Sequence, residues 1–104
     1  MHADDSIVEP ITDAQQQQVI ASTEEYLQRA CGMFDRPFAS IPVYFDLSGR
    51  AAGMYSVQGG DCRIRYNPYI FAKYFPSSLH TTVPHEVAHY VTDPLYGFRK
   101  IRPH

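Results

Sequence analysis

The chain has 104 residues, 44% of them hydrophobic, and a formal net charge of −2. That size suits one domain burying roughly two thirds of its unfolded surface. No stretch nears the ~18 consecutive apolar residues of a membrane span, and the overall acidic balance makes a poor stand-alone nucleic-acid binder.

Residues 1–10 are polar, end in Pro10 and read as a flexible lead-in to a domain over 11–104. Thr12 or Asp13 can cap a first helix running to about Ala30. Val19, Thr23, Tyr26, Leu27 and Ala30 form its core stripe, and Gly32 reads as its stop. The glutamines at 15–18 fit the polar face of that helix. Ile41 to Leu47, rich in β-branched and aromatic residues, reads as a first strand. Ala51 to Val57 and Cys62 to Tyr66 follow as two more, joined by the hairpin turn Gln58-Gly59-Gly60-Asp61. Alternation puts Cys62, Ile64 and Tyr66 on one face and Arg63 and Arg65 on the other. The expectation is α+β, with a small antiparallel three-stranded sheet. Asn67 before Pro68 is a strong helix start and predicts a short helix to about Tyr74. A last helix is expected from Ser77 or Ser78 to about Thr92. Pro84 inside it removes one backbone hydrogen bond at a cost of about 3 kcal/mol, which predicts either a kink or a start nearer Thr81.

That last helix carries His85-Glu86-Val87-Ala88-His89. Residues i and i+4 share a helix face, so both imidazoles can reach one ion at zinc–nitrogen distances of about 2.0 to 2.1 Å. Glu86 is offset by about 100° and can act on a metal-bound water without being a ligand. The competing reading is two surface histidines on an amphipathic helix. Against it, Val83, Val87, Tyr90 and Val91 cluster opposite His85 and His89, so the apolar side can pack while the histidines look into a cleft.

A zinc ion that keeps one position for water needs a third protein ligand. Asp93 continues the i+4 series, but eight helical residues carry it about 12 Å from His85, and before Pro94 it is better placed to end the helix. His104, beyond the break at Pro94 and Gly97, is the expected third ligand.

Four ordered segments carry a wider resemblance. Gly49-Arg50-Ala51-Ala52-Gly53-Met54-Tyr55, Ile64-Arg65-Tyr66-Asn67-Pro68, Val83-Pro84-His85-Glu86-Val87-Ala88-His89-Tyr90, and Tyr96-Gly97 with Arg102-Pro103-His104 together resemble the SprT-like zinc metallopeptidase domain, over roughly residues 12 to 104. The resemblance implies a zincin-like fold in which His85, His89 and His104 bind Zn2+ and Glu86 is the catalytic base. It also implies that the helix tolerates Pro84 as a kink. Members usually continue past the third histidine with a glycine, an aromatic residue and a further helix, so the C-terminal part of the domain is expected to be missing. The activity implied is metal-assisted peptide hydrolysis, with the substrate pairing along the Ala51 to Val57 or the Cys62 to Tyr66 strand. Tyr66, Tyr90 and Tyr96 are candidate oxyanion donors, although core packing is the commoner use of tyrosine.

Some relatives of that kind act on proteins attached to DNA, and the charge distribution bears on this. Residues 1–52 hold three basic and eight acidic side chains, and residues 53–104 six basic and three acidic. Arg63, Arg65, Lys73, Arg99, Lys100 and Arg102 are therefore candidates for nucleic-acid contact, beside the plainer reading of a solvated basic surface. Cys31 and Cys62 lack metal-site spacing, and no signal-peptide pattern is present, which sets the expectation of a reduced cytoplasmic setting. The expected protein is a monomer acting on a protein or peptide substrate. The alternatives are a non-catalytic zinc-binding interaction module and an inactive truncated remnant.

Overall fold

The computed structural model describes residues 9–93, so His104, Tyr96 and the cations at 99, 100 and 102 lie outside the described residues, as does most of the expected lead-in. Helix α1 spans Asp13–Phe34. Its start is a capping box. The Thr12 hydroxyl accepts from the Gln15 amide at 3.1 Å, and Gln15 Oε1 accepts from the Thr12 amide at 2.9 Å. The expected stop at Gly32 is overturned, because the helix continues to Phe34. A glycine inside a helix costs only about 1 kcal/mol relative to alanine, and Phe34 packs against the core beyond it. Asp35 makes the turn instead, at φ 54° and ψ 46°, with its amide donating to the Cys31 carbonyl.

Strand β1 is only Val43–Tyr44, shorter than the Ile41 to Leu47 expected. Strands β2, Gly53–Gln58, and β3, Asp61–Tyr66, form the expected hairpin. Gly59 at φ 60° and Gly60 at φ 89° supply the two positive φ values that a two-residue type I′ turn requires. The sheet order is β1-β3-β2. Since β1 pairs parallel with β3 while β2 pairs antiparallel with it, the sheet is mixed, not purely antiparallel. The reason is the segment 45–52, which is long enough to carry the chain past the end of β3 to its other side, so β1 and β2 are not neighbours.

Asn67 ties that connecting segment to the next helix. Its side-chain oxygen accepts from the amides of Tyr69 and Ile70 at 3.0 and 3.2 Å, capping α2, Pro68–Lys73. Its side-chain nitrogen donates to the carbonyls of Gly49 and Ala51 at 3.1 and 3.2 Å, and its amide donates to Ala52. One buried amide therefore holds the loop that delivers β2.

Helix α3 spans Phe75–Thr92, starting earlier than Ser77, with Pro76 in its first turn and Pro84 inside it. A start near Thr81 is excluded. Burial of Val83, Val87, Tyr90 and Val91 along one side opposes the cost of the proline. The architecture is thus α+β, with α1 and α3 packed together and joined to one sheet face. Tyr66, with no exposed surface, donates its hydroxyl to Thr23 at 2.9 Å, and Thr23 donates in turn to the Val19 carbonyl. Among the described residues, no helix is long and apolar enough to cross a membrane.

Replacing Asn67 with Ala removes a cap and strands two loop carbonyls, so the unfolding free energy should fall by about 3 kcal/mol. Urea denaturation monitored by circular dichroism, read as a shift in midpoint, checks this.

Candidate functional site

His85 and His89 stand one turn apart on the exposed side of α3, while Glu86 between them is turned inward and is only 5% exposed. The helix itself makes this division, since the side opposite the histidines is the apolar one packed on α1 and the sheet. The two imidazoles converge. Their Nε2 atoms lie 3.2 Å apart, with ring centroids 4.7 Å apart and planes at 89°. Two nitrogens held tetrahedrally at about 2.0 to 2.1 Å from one ion would be roughly 3.3 Å from each other. The pair thus has the spacing and the donor type to share a zinc ion. Among the described residues, no group of three or more His, Cys, Asp or Glu side chains converges, and His104 lies outside them. Asp93 caps the end of α3 and accepts from the Tyr55 hydroxyl at 2.8 Å, the helix-ending role expected of it.

Glu86 lies against the edge of β2. Burial raises its carboxyl above the ordinary carboxylate range, opposed by His89, His85 and the nearby Tyr55 backbone amide. The register explains that amide. Tyr55 pairs with Ile64, whose own amide donates to Pro42 on the β1 side. In an antiparallel ladder this makes Tyr55 and Ile64 a non-hydrogen-bonded pair, so the N–H of Tyr55 points away from β3. The same phase directs the backbone groups of Gly53 and Val57 to that free edge. An open cleft of about 360 Å3 lies between this strand and α3, with Ala51, Ala52, Gly53, Thr82, His85 and Glu86 in its walls.

Three tyrosine hydroxyls that could have entered the cleft are used elsewhere. Tyr66 bonds Thr23 in the core, Tyr90 donates to the Ala39 carbonyl at 2.9 Å, and Tyr55 donates to Asp93. Tyr66 and Tyr90 therefore act as core ties, not as oxyanion donors, and Tyr96 lies outside the described residues. The cations are partly committed as well. Arg65 pairs with Asp46 at 2.8 Å, the Arg63 guanidinium stands 5.7 Å from the Tyr44 ring, and Lys73 stands 5.9 Å from that of Tyr74.

Local pattern did not single out Gly53 or the backbone of Tyr55. Their only trace was the run of small residues Ala51-Ala52-Gly53 within a segment of family resemblance.

A family model described as the SprT-like family matches residues 23–104. The chain belongs to the SprT-like family. It is 34% identical over 89 residues to Protein SprT of Shewanella oneidensis, covering 86% of this chain and 54% of that protein. It is 38% identical over 71 residues to Protein SprT of Vibrio parahaemolyticus, covering 68% and 41%, and 31% identical over 87 residues to that of Pasteurella multocida, covering 84% and 50%. This SprT-like chain spans about half the length of the curated relatives it matches. No solved structure matches it.

The raised carboxyl has a consequence for stability. Between the ordinary carboxylate pKa of about 4.3 and the raised folded value, the folded chain keeps a proton that the unfolded chain releases, so stability falls as pH rises through that window. Glu86→Gln has no such proton to lose. Thermal unfolding of the metal-free chain should therefore show the variant gaining on the wild type as pH rises from 4 to 7.

Proposed function

We propose that this chain is a SprT-type zinc metallopeptidase domain with a zincin-like site, in which His85, His89 and His104 hold the metal and Glu86 is the general base. The 3.2 Å approach of the two motif nitrogens beside a buried carboxylate is the observation that carries it. Structural zinc sites are usually closed by four ligands and are often rich in cysteine, whereas two histidines flanking a non-ligating glutamate leave a position open. Bound zinc would supply Lewis acidity, lowering the pKa of water toward ~7 and polarising the scissile carbonyl.

The chain's own residues divide the remaining work. His85 and His89 must present unprotonated Nε2 atoms, so binding weakens in acid. Glu86 accepts a proton from water and passes it to the leaving amine. Its burial suits this, because a carboxyl raised toward the working pH is a better proton acceptor than an ordinary one. An extended peptide is the natural substrate. Strand β3 is central and has no free edge, while β2 is an edge strand whose outward backbone groups run beside Glu86, so the substrate is placed along β2 by main-chain pairing. Folded or DNA-attached proteins would supply such a segment from a loop or terminus. The two free thiols, Cys31 and Cys62, fit a reducing compartment such as the cytoplasm.

The purified chain should bind about one zinc per molecule, measured by elemental analysis. Glu86→Gln should keep that zinc and lose about 10²- to 10⁴-fold in kcat on casein, the usual contribution of a general base. His85→Ala and His89→Ala should each lose the metal. Cleavage by Glu86→Gln at the wild-type rate would remove the mechanism.

A further inference from the structure

Gly53 is where β2 comes closest to α3, and its missing side chain has two distinct neighbours. A Cβ built there would lie 2.8 Å from Thr82 Cγ2, 3.0 Å from Glu86 Cγ and 3.2 Å from Glu86 Oε2. The Thr82 contact is impossible without movement, because non-bonded carbons meet at about 3.5 to 4.0 Å. The Glu86 contacts are tight, and they fall on a flexible chain whose end would be the part to give way. Two residues along the strand, the Tyr55 amide points to the same free edge, near enough to Glu86 to favour its charged form. Farther along, the Tyr55 hydroxyl holds Asp93 at the end of α3. The loop entering β2 is pinned by Asn67 through Gly49, Ala51 and Ala52. The strand is thus fixed on both sides of Gly53, so a side chain there would be relieved by displacing Glu86.

We infer that Gly53 is a positioning residue for the Glu86 carboxylate: the absence of a side chain at 53 lets β2 lie against Glu86 and keeps its carboxylate in the cleft on the side to which Tyr55 N–H points. This rests on Glu86 being the base proposed above. It predicts something that plain strand–helix packing does not. If Gly53 served only packing, shortening Thr82 to Ser would remove the clashing methyl and make Ala tolerable at 53. If it positions Glu86, relief at 82 leaves the carboxylate still displaced.

The decisive comparison is Gly53→Ala/Thr82→Ser against Thr82→Ser alone, in the full chain. Loss of the 2.8 Å contact keeps the double variant folded, so its melting temperature should stay close to that of the single variant. Zinc content should be unchanged and KM should move less than about twofold, while kcat falls at least about tenfold, since misplacing a reacting group by ~1 Å costs up to about 100-fold. An unchanged kcat would overturn the inference.

A second readout needs no turnover. In nitrogen–proton correlation spectra, Glu86→Gln should shift the Tyr55 amide strongly in the Thr82→Ser background and little in the double variant. Equal shifts in both backgrounds would overturn the inference by themselves. Absence of cleavage by the wild type would instead strike the peptidase function, leaving the amide comparison to decide the role of Gly53.

Discussion

Glu86 is a buried carboxyl lodged against the backbone of a strand edge, where Gly53 has no side chain and the Tyr55 amide points to the same side. The rest of the described structure is arranged around that contact. It requires β2 to lie beside α3 with one edge free, which in turn requires β3, not β2, to be the central strand among the described residues. It requires close approach, which Gly53 permits by having no side chain. It also requires both partners to be held firmly. Helix α3 is fixed by its apolar side against α1 and the sheet, and β2 by the Asn67 amide at its entry and the Tyr55–Asp93 bond beyond.

The aromatic residues show how a small domain keeps such a site in place. Tyr66 and Tyr90 bury their rings and Tyr55 is half-buried, and each spends its hydroxyl on a neighbouring element: Tyr66 on α1, Tyr90 on the Ala39 segment, Tyr55 on the end of α3. Tyr66 and Tyr55 lie in regions where burial pushes the phenol well above its usual range, so they remain neutral donors. Their rings meet Phe71 and Tyr90 respectively at 5.0 and 6.0 Å. These tyrosines therefore contribute packing and direction together. With those hydroxyls committed to ties, the ionisable side chains lining the cleft among the described residues are those of His85 and Glu86.

The family match extends over 23–104, whereas the geometry comes from α3 and β2 within the described residues. The matched range includes both α3 and β2. The pairing of His85 with His89 is local to one helical turn.

That locality marks what sequence alone could determine. Helical periodicity places His85 and His89 together and turns Val83, Val87, Tyr90 and Val91 to the opposite side, because one turn of helix fixes those relations whatever surrounds it. Local chemistry likewise identifies the Thr12 and Asn67 caps and the glycine pair of the hairpin. Where nonlocal packing decides, the sequence was a poorer guide. Gly32 looked like a stop yet lies inside α1, since contacts beyond it outweigh its modest cost. The first strand looked antiparallel to its neighbours yet pairs parallel with β3, since the path of segment 45–52 carries no local signature. Tyr66 looked available to the site, but the register turns it into the core. Only the tertiary structure could bring Gly53 and the Tyr55 amide to Glu86, for contacts between a strand edge and a helix depend on strand order and register, and neither is encoded in any single stretch of chain.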